Sequence, residues 1–269
     1  YQQKKPWTLS AGDLELIPLA KRLTGTAANV QILGIDLKHT NLDSIEVRLD
    51  GDSLRVEVPR GKQLWLEHSD SWKPISKPRA QEKGPRRYGA FKDVFQNKVQ
   101  FVVGTQGTKR ENAWALARAR YDAEYLWYQG NGSIDVLLDT MFDPESEPHR
   151  NVVLYGNEDT HEDWDALWRG SSVEVRSDQV RVGDKKLVGS DLAVFAVRPR
   201  PGSAKSLVGV ISATGMTGFN LIEGRPYLAP GFAYPDFTVF RAREESLVEA
   251  AGFFKNDWSW DKQNVAWRE

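Results

Sequence analysis

The stretch FVVGTQGT, Phe101–Thr108, decides how the second half of the chain is interpreted. Three apolar residues end at Gly104, a short polar loop follows, and the residues after the loop have helical spacing. A strand, a glycine loop and a helix start place backbone N–H groups around a phosphate or an oxyanion. The same layout also occurs at a tight turn of an α/β sheet that binds nothing, so the residues of the loop must distinguish the two.

The loop matches neither common phosphate fingerprint. It lacks the lysine of a P-loop and the G-x-G-x-x-G spacing of a dinucleotide loop. Thr108 and Glu111 instead have the spacing of a capping box, which predicts a helix start at this point. Binding by Thr105, Gln106 and Gly107 remains the alternative, since ligands of open α/β sheets lie at the carboxyl ends of strands.

Composition excludes several classes of function. The 269 residues suffice for one large domain or two small ones. With 36 basic and 37 acidic side chains the net charge is -1, so we expect neither a nucleic acid nor a membrane as partner. No run approaches the roughly 18 apolar residues of a membrane helix. The chain has no cysteine, which excludes thiol catalysis, disulfides and thiolate metal sites, and no motif predicts a metal or other cofactor.

The first part of the chain has the pattern of an antiparallel β structure. Residues 29–74 alternate between apolar and polar side chains, and Asp50-Gly51 is a hairpin signal. We predict a small β-sandwich-like module with an N-terminal extension over residues 1–82. Residues 73–90 contain three prolines and many basic side chains, which favours a domain boundary there.

From residue 83 to residue 255 the pattern alternates between strands and helices. This alternation predicts a three-layer α/β domain with a mostly parallel sheet. Helices are predicted over 111–129, 160–168 and 214–222, and strands over 98–103, 133–138, 151–155, 173–187, 191–197, 207–211 and 237–240. From Glu244 on we expect another helix, followed by an aromatic tail over 256–269 that contains Trp258, Trp260 and Trp267.

The predicted helix 111–129 has a clear periodicity. An apolar and aromatic face is formed by side chains three or four positions apart. Arg118 and Asp122 are four positions apart and are expected to pair on the exposed side. The residues of the apolar face are Trp114, Ala117, Tyr121, Tyr125 and Tyr128.

A second polar cluster, YGNEDTHEDWDALW, spans Tyr155–Trp168. Asp159 and His161 have the spacing of a general base with its orienting carboxylate, and Asn157 is a candidate binding residue beside them. His161 and Asp165 have the i, i+4 spacing of two metal ligands on one helix face, but the sequence identifies no third ligand. The alternative is a group of acids that complements a helix N-terminus, with Asp159 or Thr160 as the cap.

Two further strand ends carry small polar residues. RPRPGSAKS, Arg198–Ser206, has two arginines around Ser203 that suit a carboxylate or phosphate, or it is a solvated Pro-Gly turn. SATGMTGF, Ser212–Phe219, repeats the layout of strand, glycine loop and helix start and places Thr214 in the loop. If the strands are parallel neighbours, all four loops line one crevice. No G-x-S-x-G elbow and no H-E-x-x-H motif occurs in the sequence.

Several ordered blocks resemble the C-terminal region of bacterial prolyl-oligopeptidase-like proteins of the α/β-hydrolase family. The blocks lie within residues 29–255, for example GPRRYGAFKDVFQNKVQFVVGTQGT, RNVVLYGN, DLAVFAVRPRPGS and GVISATGMTGFNL. The resemblance implies an exported protein whose hydrolase domain, with its serine elbow, lies upstream. It also implies that this chain is a separated C-terminal part to which no residue of a catalytic triad can be assigned.

Two functions follow as hypotheses. The first is a non-catalytic accessory region that packs on or assists the upstream hydrolase domain. The second is a stand-alone hydrolase or esterase that acts on a peptide or ester in the crevice, with His161 as base. The second requires His161 to face the crevice within hydrogen-bond reach of a carboxylate. The crevice would comprise Gly104–Thr108, Asn157–His161, Ser203 and Thr214–Gly218.

Overall fold

A computed structural model describes residues 1–242 and 247–268 and divides the chain into two compact units, Tyr1–Pro85 and Arg86–Glu269. The division falls within the proline-rich, basic segment 73–90. Among the described residues, no helix has the length and apolar character needed to cross a membrane.

The first unit consists of short strands in two four-stranded sheets. The sheet orders are β1-β4-β7-β8 and β2-β3-β5-β6, and only the β3/β5 pair is parallel. The two sheets share one apolar core, which includes Ile45, Val47, Leu49, Leu64 and Leu66. The strands are β1 (Gln2–Gln3), β2 (Ala11–Ile17), β3 (Arg22–Ala28), β4 (Val30–Asp36), β5 (Ser44–Leu49), β6 (Asp52–Glu57), β7 (Gln63–His68) and β8 (Trp72–Ile75).

The predicted hairpin at Asp50-Gly51 is confirmed. Asp50 has φ 52° and Gly51 has φ 94°, so both central residues are in the left-handed region that a primed turn requires. The Asp50 carboxylate also accepts hydrogen bonds from the Ala27 backbone N–H at 2.8 Å and from the Trp72 indole at 2.9 Å. The turn is therefore tied to two other strands.

The second unit is built on one eight-stranded sheet, with the order β10-β9-β11-β16-β15-β17-β18-β19. Among its described residues the strands are β9 (Val99–Val103), β10 (Asp135–Leu138), β11 (Asn151–Tyr155), β12 (Val173–Arg176), β13 (Gln179–Val182), β14 (Lys185–Val188), β15 (Leu192–Pro199), β16 (Leu207–Ala213), β17 (Phe237–Arg241), β18 (Val248–Gly252) and β19 (Val265–Trp267). The described α-helices are α1 (Lys109–Gly130), α2 (Trp164–Trp168) and α3 (Met216–Glu223).

The sheet is mixed, and the predicted mostly parallel arrangement is wrong. Strands β10, β9, β11 and β16 run parallel, but every pairing from β16 to β19 is antiparallel. The short connection 200–206 explains the change of direction after β15. A parallel return requires a crossover of about a dozen residues or more, whereas a short turn gives a hairpin.

The predicted three-layer α/β arrangement is wrong for a second reason. Helices α1 and α3 pack on one face of the sheet. The other face is covered mainly by the antiparallel sheet β12-β13-β14 and by α2, which has a single turn. The described chain is therefore mostly β. Apolar runs such as β11 are buried on both faces in either architecture, so their composition does not reveal which layer covers them.

Helix α1 begins as predicted. The Thr108 hydroxyl accepts a hydrogen bond from the Glu111 N–H at 3.3 Å, and the Glu111 carboxylate accepts one from the Thr108 N–H at 2.9 Å. The capping box is confirmed, and the helix ends at Gly130 with Asn131, which has φ 50°, as its C-cap.

The prediction for the faces of α1 is wrong. The buried residues are Trp114, Ala115, Ala119 and Asp122, while Tyr121 and Tyr128 are 57% and 75% exposed. The Arg118–Asp122 pair thus faces inward, where the hydroxyls of Tyr155 and Tyr227 both donate to Asp122 Oδ2. Helical spacing alone favours burial of the tyrosines over burial of a charged pair. It does not reveal the hydrogen-bond donors that distant parts of the chain supply to Asp122.

Two more helix predictions require correction. Residues 157–161 form a loop, and α2 begins only at Trp164, with Asp163 at its N-cap and no capping bond from that side chain. Neither Asp159 nor Thr160 is the cap. Of the helix predicted from Glu244, residues 244–246 lie outside the described part, and Val248–Gly252 is a strand because it pairs with both β17 and β19. The aromatic tail contributes β19 to the sheet.

Candidate functional site

The parallel half of the sheet brings most of the predicted site residues to one edge. The loops after β9, β11 and β16 lie at the carboxyl ends of neighbouring strands, and these loops contain Thr105–Gly107, Asn157–His161 and Thr214. Ser203 is not among them. It lies in the turn between β15 and β16, which is at the opposite edge because β16 begins there.

Asp139, which the sequence analysis did not single out, holds this edge together. Its Oδ2 accepts hydrogen bonds from the N–H groups of Thr105 at 3.0 Å and Glu162 at 2.9 Å. Its Oδ1 accepts from the Thr105 hydroxyl at 2.6 Å and from the Thr140 N–H at 2.9 Å. Burial alone raises the pKa of a carboxyl, but these hydrogen bonds hold the pKa of Asp139 below its ordinary value. A carboxylate with four donors has little capacity left for a ligand.

His161 is 4% exposed, and both of its ring nitrogens are engaged by the backbone. Nδ1 accepts a hydrogen bond from the Asp163 N–H at 3.2 Å, so the ring proton lies on Nε2, which is 3.3 Å from the Val102 carbonyl oxygen. Burial lowers the pKa of His161 to about 4, although the Asp139 carboxylate and the Val102 carbonyl act in the opposite direction. The imidazole is neutral at pH 7, and its lone pair is already used.

Asp159, the predicted orienting carboxylate, forms no hydrogen bond with His161 and bonds to Arg176 and Ser177 instead. Asp159 Oδ1 accepts from the Arg176 guanidinium at 3.2 Å, and its Oδ2 accepts from the Ser177 N–H at 2.8 Å. Asp165 pairs with Arg169 on the exposed side of α2. Within residues 1–242 and 247–268, no group of three or more His, Asp or Glu side chains is placed to hold a metal ion.

The other predicted binding residues of this edge also bond within the protein. Asn157 Nδ2 donates to the Ala213 carbonyl at 2.8 Å, and its Oδ1 accepts from the Asp159 N–H at 3.0 Å. Thr214 Oγ1 accepts from the Leu192 N–H at 3.1 Å. Gln106 is exposed, and its N–H donates to the Thr160 carbonyl at 3.0 Å.

Gly107 has a steric reason to be glycine. A Cβ at this position would lie 2.9 Å from the Asn112 side-chain oxygen and 3.1 Å from a methyl carbon of Thr160. The contact is tight enough that a neighbour would have to shift. The glycine therefore allows the loop after β9 to pack closely against the loop after β11.

At the opposite edge, Ser203 and its arginines are likewise satisfied. Ser203 Oγ accepts from the Ser206 N–H at 3.0 Å. Arg200, 1% exposed, donates to four backbone carbonyls between Pro144 and Arg150. Arg198 donates to the carbonyls of Trp168 and Arg169 at the end of α2. These guanidinium groups hold backbone loops in place.

A cavity of about 630 Å³ lies beside α1 and α3, the helices on one face of the sheet, and the sequence did not predict it. Its walls are formed by buried and exposed side chains of α1, by the end of α3 and by the segment that follows α3. The residues that line it are Trp114, Ala117, Arg118, Tyr121, Asp122, Tyr125, Glu223, Gly224, Arg225, Pro226, Tyr227, Leu228 and Ala229. Four of the five residues of the predicted apolar face of α1 are therefore cavity wall.

A buried polar network supports the cavity. Arg118 lies 3.0 Å from Asp122 Oδ1 in an ion pair, and its Nε donates to the Tyr227 hydroxyl at 2.8 Å. The Tyr155 hydroxyl donates to Asp122 Oδ2 at 2.9 Å, and the Tyr227 hydroxyl donates to the same oxygen. The guanidinium of Arg118 also lies near the rings of Tyr121 and Tyr227, at 5.1 and 4.9 Å from their centroids. The network fixes α1 to β11 and to the segment after α3.

Burial determines the charge state of this network. It raises the pKa of Asp122, although Arg118 and the two tyrosines act in the opposite direction, and it raises the pKa values of Tyr155 and Tyr227 well above their ordinary range. Burial alone lowers the pKa of Arg118, but Tyr227 and Asp122 outweigh it, so the net shift is upward. Both tyrosines are protonated donors at pH 7, and Arg118 is charged.

We predict that Asp139→Asn destabilises the second unit by about 3 kcal/mol, because an amide replaces a buried charged acceptor of four hydrogen bonds. Hydrogen exchange of the β9 and β11 amides, measured with the full chain, gives the change in opening free energy. Asp184→Asn is the control at an exposed position of the same unit, where we expect less than about 0.5 kcal/mol. Equal protection in Asp139→Asn and the control would contradict the role of Asp139.

We predict that Asp163 and His161 make the stability of the second unit depend on pH in opposite directions. Burial, with the nearby charges of Asp139, Glu162 and Asp143, raises the pKa of Asp163 to about 6. The native state thus binds more protons than the unfolded state at Asp163 between about pH 4 and 6, and stability at this group falls as pH rises. At His161 the native state binds fewer protons between about pH 6.5 and 4, so stability is lost as pH falls.

We therefore expect Asp163→Asn to raise stability at pH 7 by about 1 kcal/mol, with allowance for solvent screening, and to make the loss of stability below pH 6.5 steeper. Urea unfolding between pH 4 and 8 measures both effects. Asp165→Asn, two positions away and exposed, is the control. An unchanged pH profile in Asp163→Asn would show that the proton balance does not involve this carboxyl.

Comparisons with known proteins supply no family for this geometry. No family model matches the chain, and the search of curated proteins finds no similar sequence. The resemblance to prolyl-oligopeptidase-like proteins therefore stays a prediction, and the site must be interpreted from its own contacts.

Proposed function

We propose that this chain is a non-catalytic, ligand-binding accessory region of a serine hydrolase of the prolyl-oligopeptidase-like type. The proposal rests on the hydrogen bonds at the carboxyl ends of β9, β11 and β16, where the predicted site residues lie. The candidate groups there, from Thr105 and Asp139 to Asn157 and Thr214, bond to one another or to nearby backbone. A site that polarises a substrate needs donors or acceptors directed at empty space, and these four groups are directed at neighbouring strands and loops.

The contacts of His161 argue against the alternative of a stand-alone hydrolase. A general base needs a lone pair within reach of the proton that it removes and a pKa near the working pH. The lone pair of His161 accepts from Asp163, and burial lowers its pKa to about 4. The ring is held as part of the loop after β11.

The α1 cavity is the feature that suits binding. Its volume of about 630 Å³ is within the range of small-molecule sites, which have mostly apolar walls and a few polar groups. The accessory role, the upstream hydrolase domain and an exported location come from the sequence resemblance. In this proposal the cavity holds a ligand, or a remote part of a substrate, for that upstream domain.

The catalytic half of the proposal is tested with p-nitrophenyl acetate and alanine p-nitroanilide as substrates of the isolated chain. We expect no turnover above buffer. Turnover that disappears in His161→Gln or in Asp159→Asn, while the circular dichroism spectrum is retained, would overturn the proposal. Asp159 is exposed, so its variant is expected to fold even if a change at buried His161 is not tolerated.

The binding half is tested with Ala117→Trp. Ala117 is an exposed residue at the cavity, so a tryptophan there should block it without disturbing the core. Ala113→Trp is the matched control, one turn earlier on the exposed surface of α1. We expect fragments detected by ligand-observed NMR to bind the wild type and Ala113→Trp and to lose binding in Ala117→Trp. Equal binding by all three proteins, or none to the wild type, would refute the role of the cavity.

A further inference from the structure

The accessible polar groups of the α1 cavity differ in charge. Glu223 ends α3, and Arg225 follows it by two positions. Glu223 Oε1 accepts from the Trp114 indole at 3.0 Å, and Arg225 Nε donates to the Leu221 carbonyl at 3.3 Å. Arg118 and Asp122, the other charged residues of the wall, pair with each other and are 12% and 0% exposed at their side chains. The cavity thus offers a ligand one carboxylate and one guanidinium.

This pair of opposite charges disfavours a ligand that carries charge of only one sign. Glu223 and Arg225 are two positions apart in the chain and both line the cavity, so an anion that contacts Arg225 also meets the repulsion of Glu223, and a cation that contacts Glu223 meets that of Arg225. Like charges brought together in a partly desolvated site cost free energy that the single attractive contact must overcome. A hydroxyl group both donates and accepts, so neighbouring hydroxyls satisfy the carboxylate and the guanidinium at once with no net charge.

The remaining wall suits the apolar face of a ring. Tyr121 and Tyr125 lie one turn apart on α1 and line the cavity, and Tyr121 is 57% exposed. Pro226, Leu228 and Ala229 form the facing side. Tyrosine combines a flat apolar surface with a polar tip, which favours ligands that are apolar on one face and polar at the edge.

We propose that the α1 cavity binds a neutral saccharide of one or two pyranose rings. The ring C–H face packs on Tyr121 and Tyr125, and hydroxyl groups donate to Glu223 and accept from Arg225. This inference rests on the proposed binding function and adds the class of ligand to it.

The test uses ligand-observed NMR on the full chain with cellobiose, maltose, lactose and diacetylchitobiose at millimolar concentration. Benzoate and benzylamine serve as charged probes with a ring of comparable apolar area. We expect at least one saccharide to bind and to lose tenfold or more affinity in Tyr125→Ala and in Glu223→Gln. Tyr128→Ala is the matched control, because Tyr128 is on the same helix and 75% exposed but does not line the cavity.

The outcomes separate this inference from the function on which it rests. Binding of benzoate or benzylamine, but of no saccharide, that is lost in Ala117→Trp would overturn the ligand class and leave the cavity as a binding site. Saccharide binding that survives both Tyr125→Ala and Ala117→Trp would place the sugar elsewhere and overturn the inference. Failure of all six probes would overturn it too, and the fragment experiment then decides separately whether the cavity binds anything.

Discussion

The carboxylate of Asp139 is the interaction on which the parallel edge of the second unit depends. It accepts four hydrogen bonds, which join the end of β10 to the loops after β9 and β11. Strand ends carry backbone groups that the sheet leaves without partners, and buried groups of this kind must find one. Asp139 provides partners for several of them at once. The same four bonds occupy the Asp139 carboxylate itself, which leaves it little capacity for a ligand.

The strand-end edge and the α1 cavity differ in how accessible their side chains are. At the edge, Asn157 and His161 lie where ligands of α/β sheets usually bind, yet these side chains bond to the backbone of neighbouring strands and of their own loop. On the helical face, tyrosine rings of α1 remain accessible around a cavity that has its own buried support in Arg118 and Asp122. Rigid walls and accessible rings favour binding, since a preformed site loses little entropy when it is occupied.

Sequence patterns predict local structure more accurately than they predict which distant residues come into contact. The capping box at Thr108 and Glu111 and the hairpin at Asp50-Gly51 each depend on a few consecutive residues whose own chemistry determines the backbone. The strand β11 was placed with its correct bounds because an apolar run between polar loops has few other solutions. The faces of α1 were assigned wrongly, because the partners of Asp122 come from Tyr155 and Tyr227, far away in the chain.

The sequence by itself determined the local elements, the absence of thiol chemistry and the balance of charge, all of which depend on residue type and on spacing within one segment. Only the tertiary structure decided the direction of β15, the layer that covers each face of the sheet and the separation of Ser203 from the other strand ends. It also decided that Tyr121 and Tyr125 of α1 line a cavity. These features depend on which segments meet, and side chains distant in sequence determine this through burial and hydrogen bonding that no single stretch encodes.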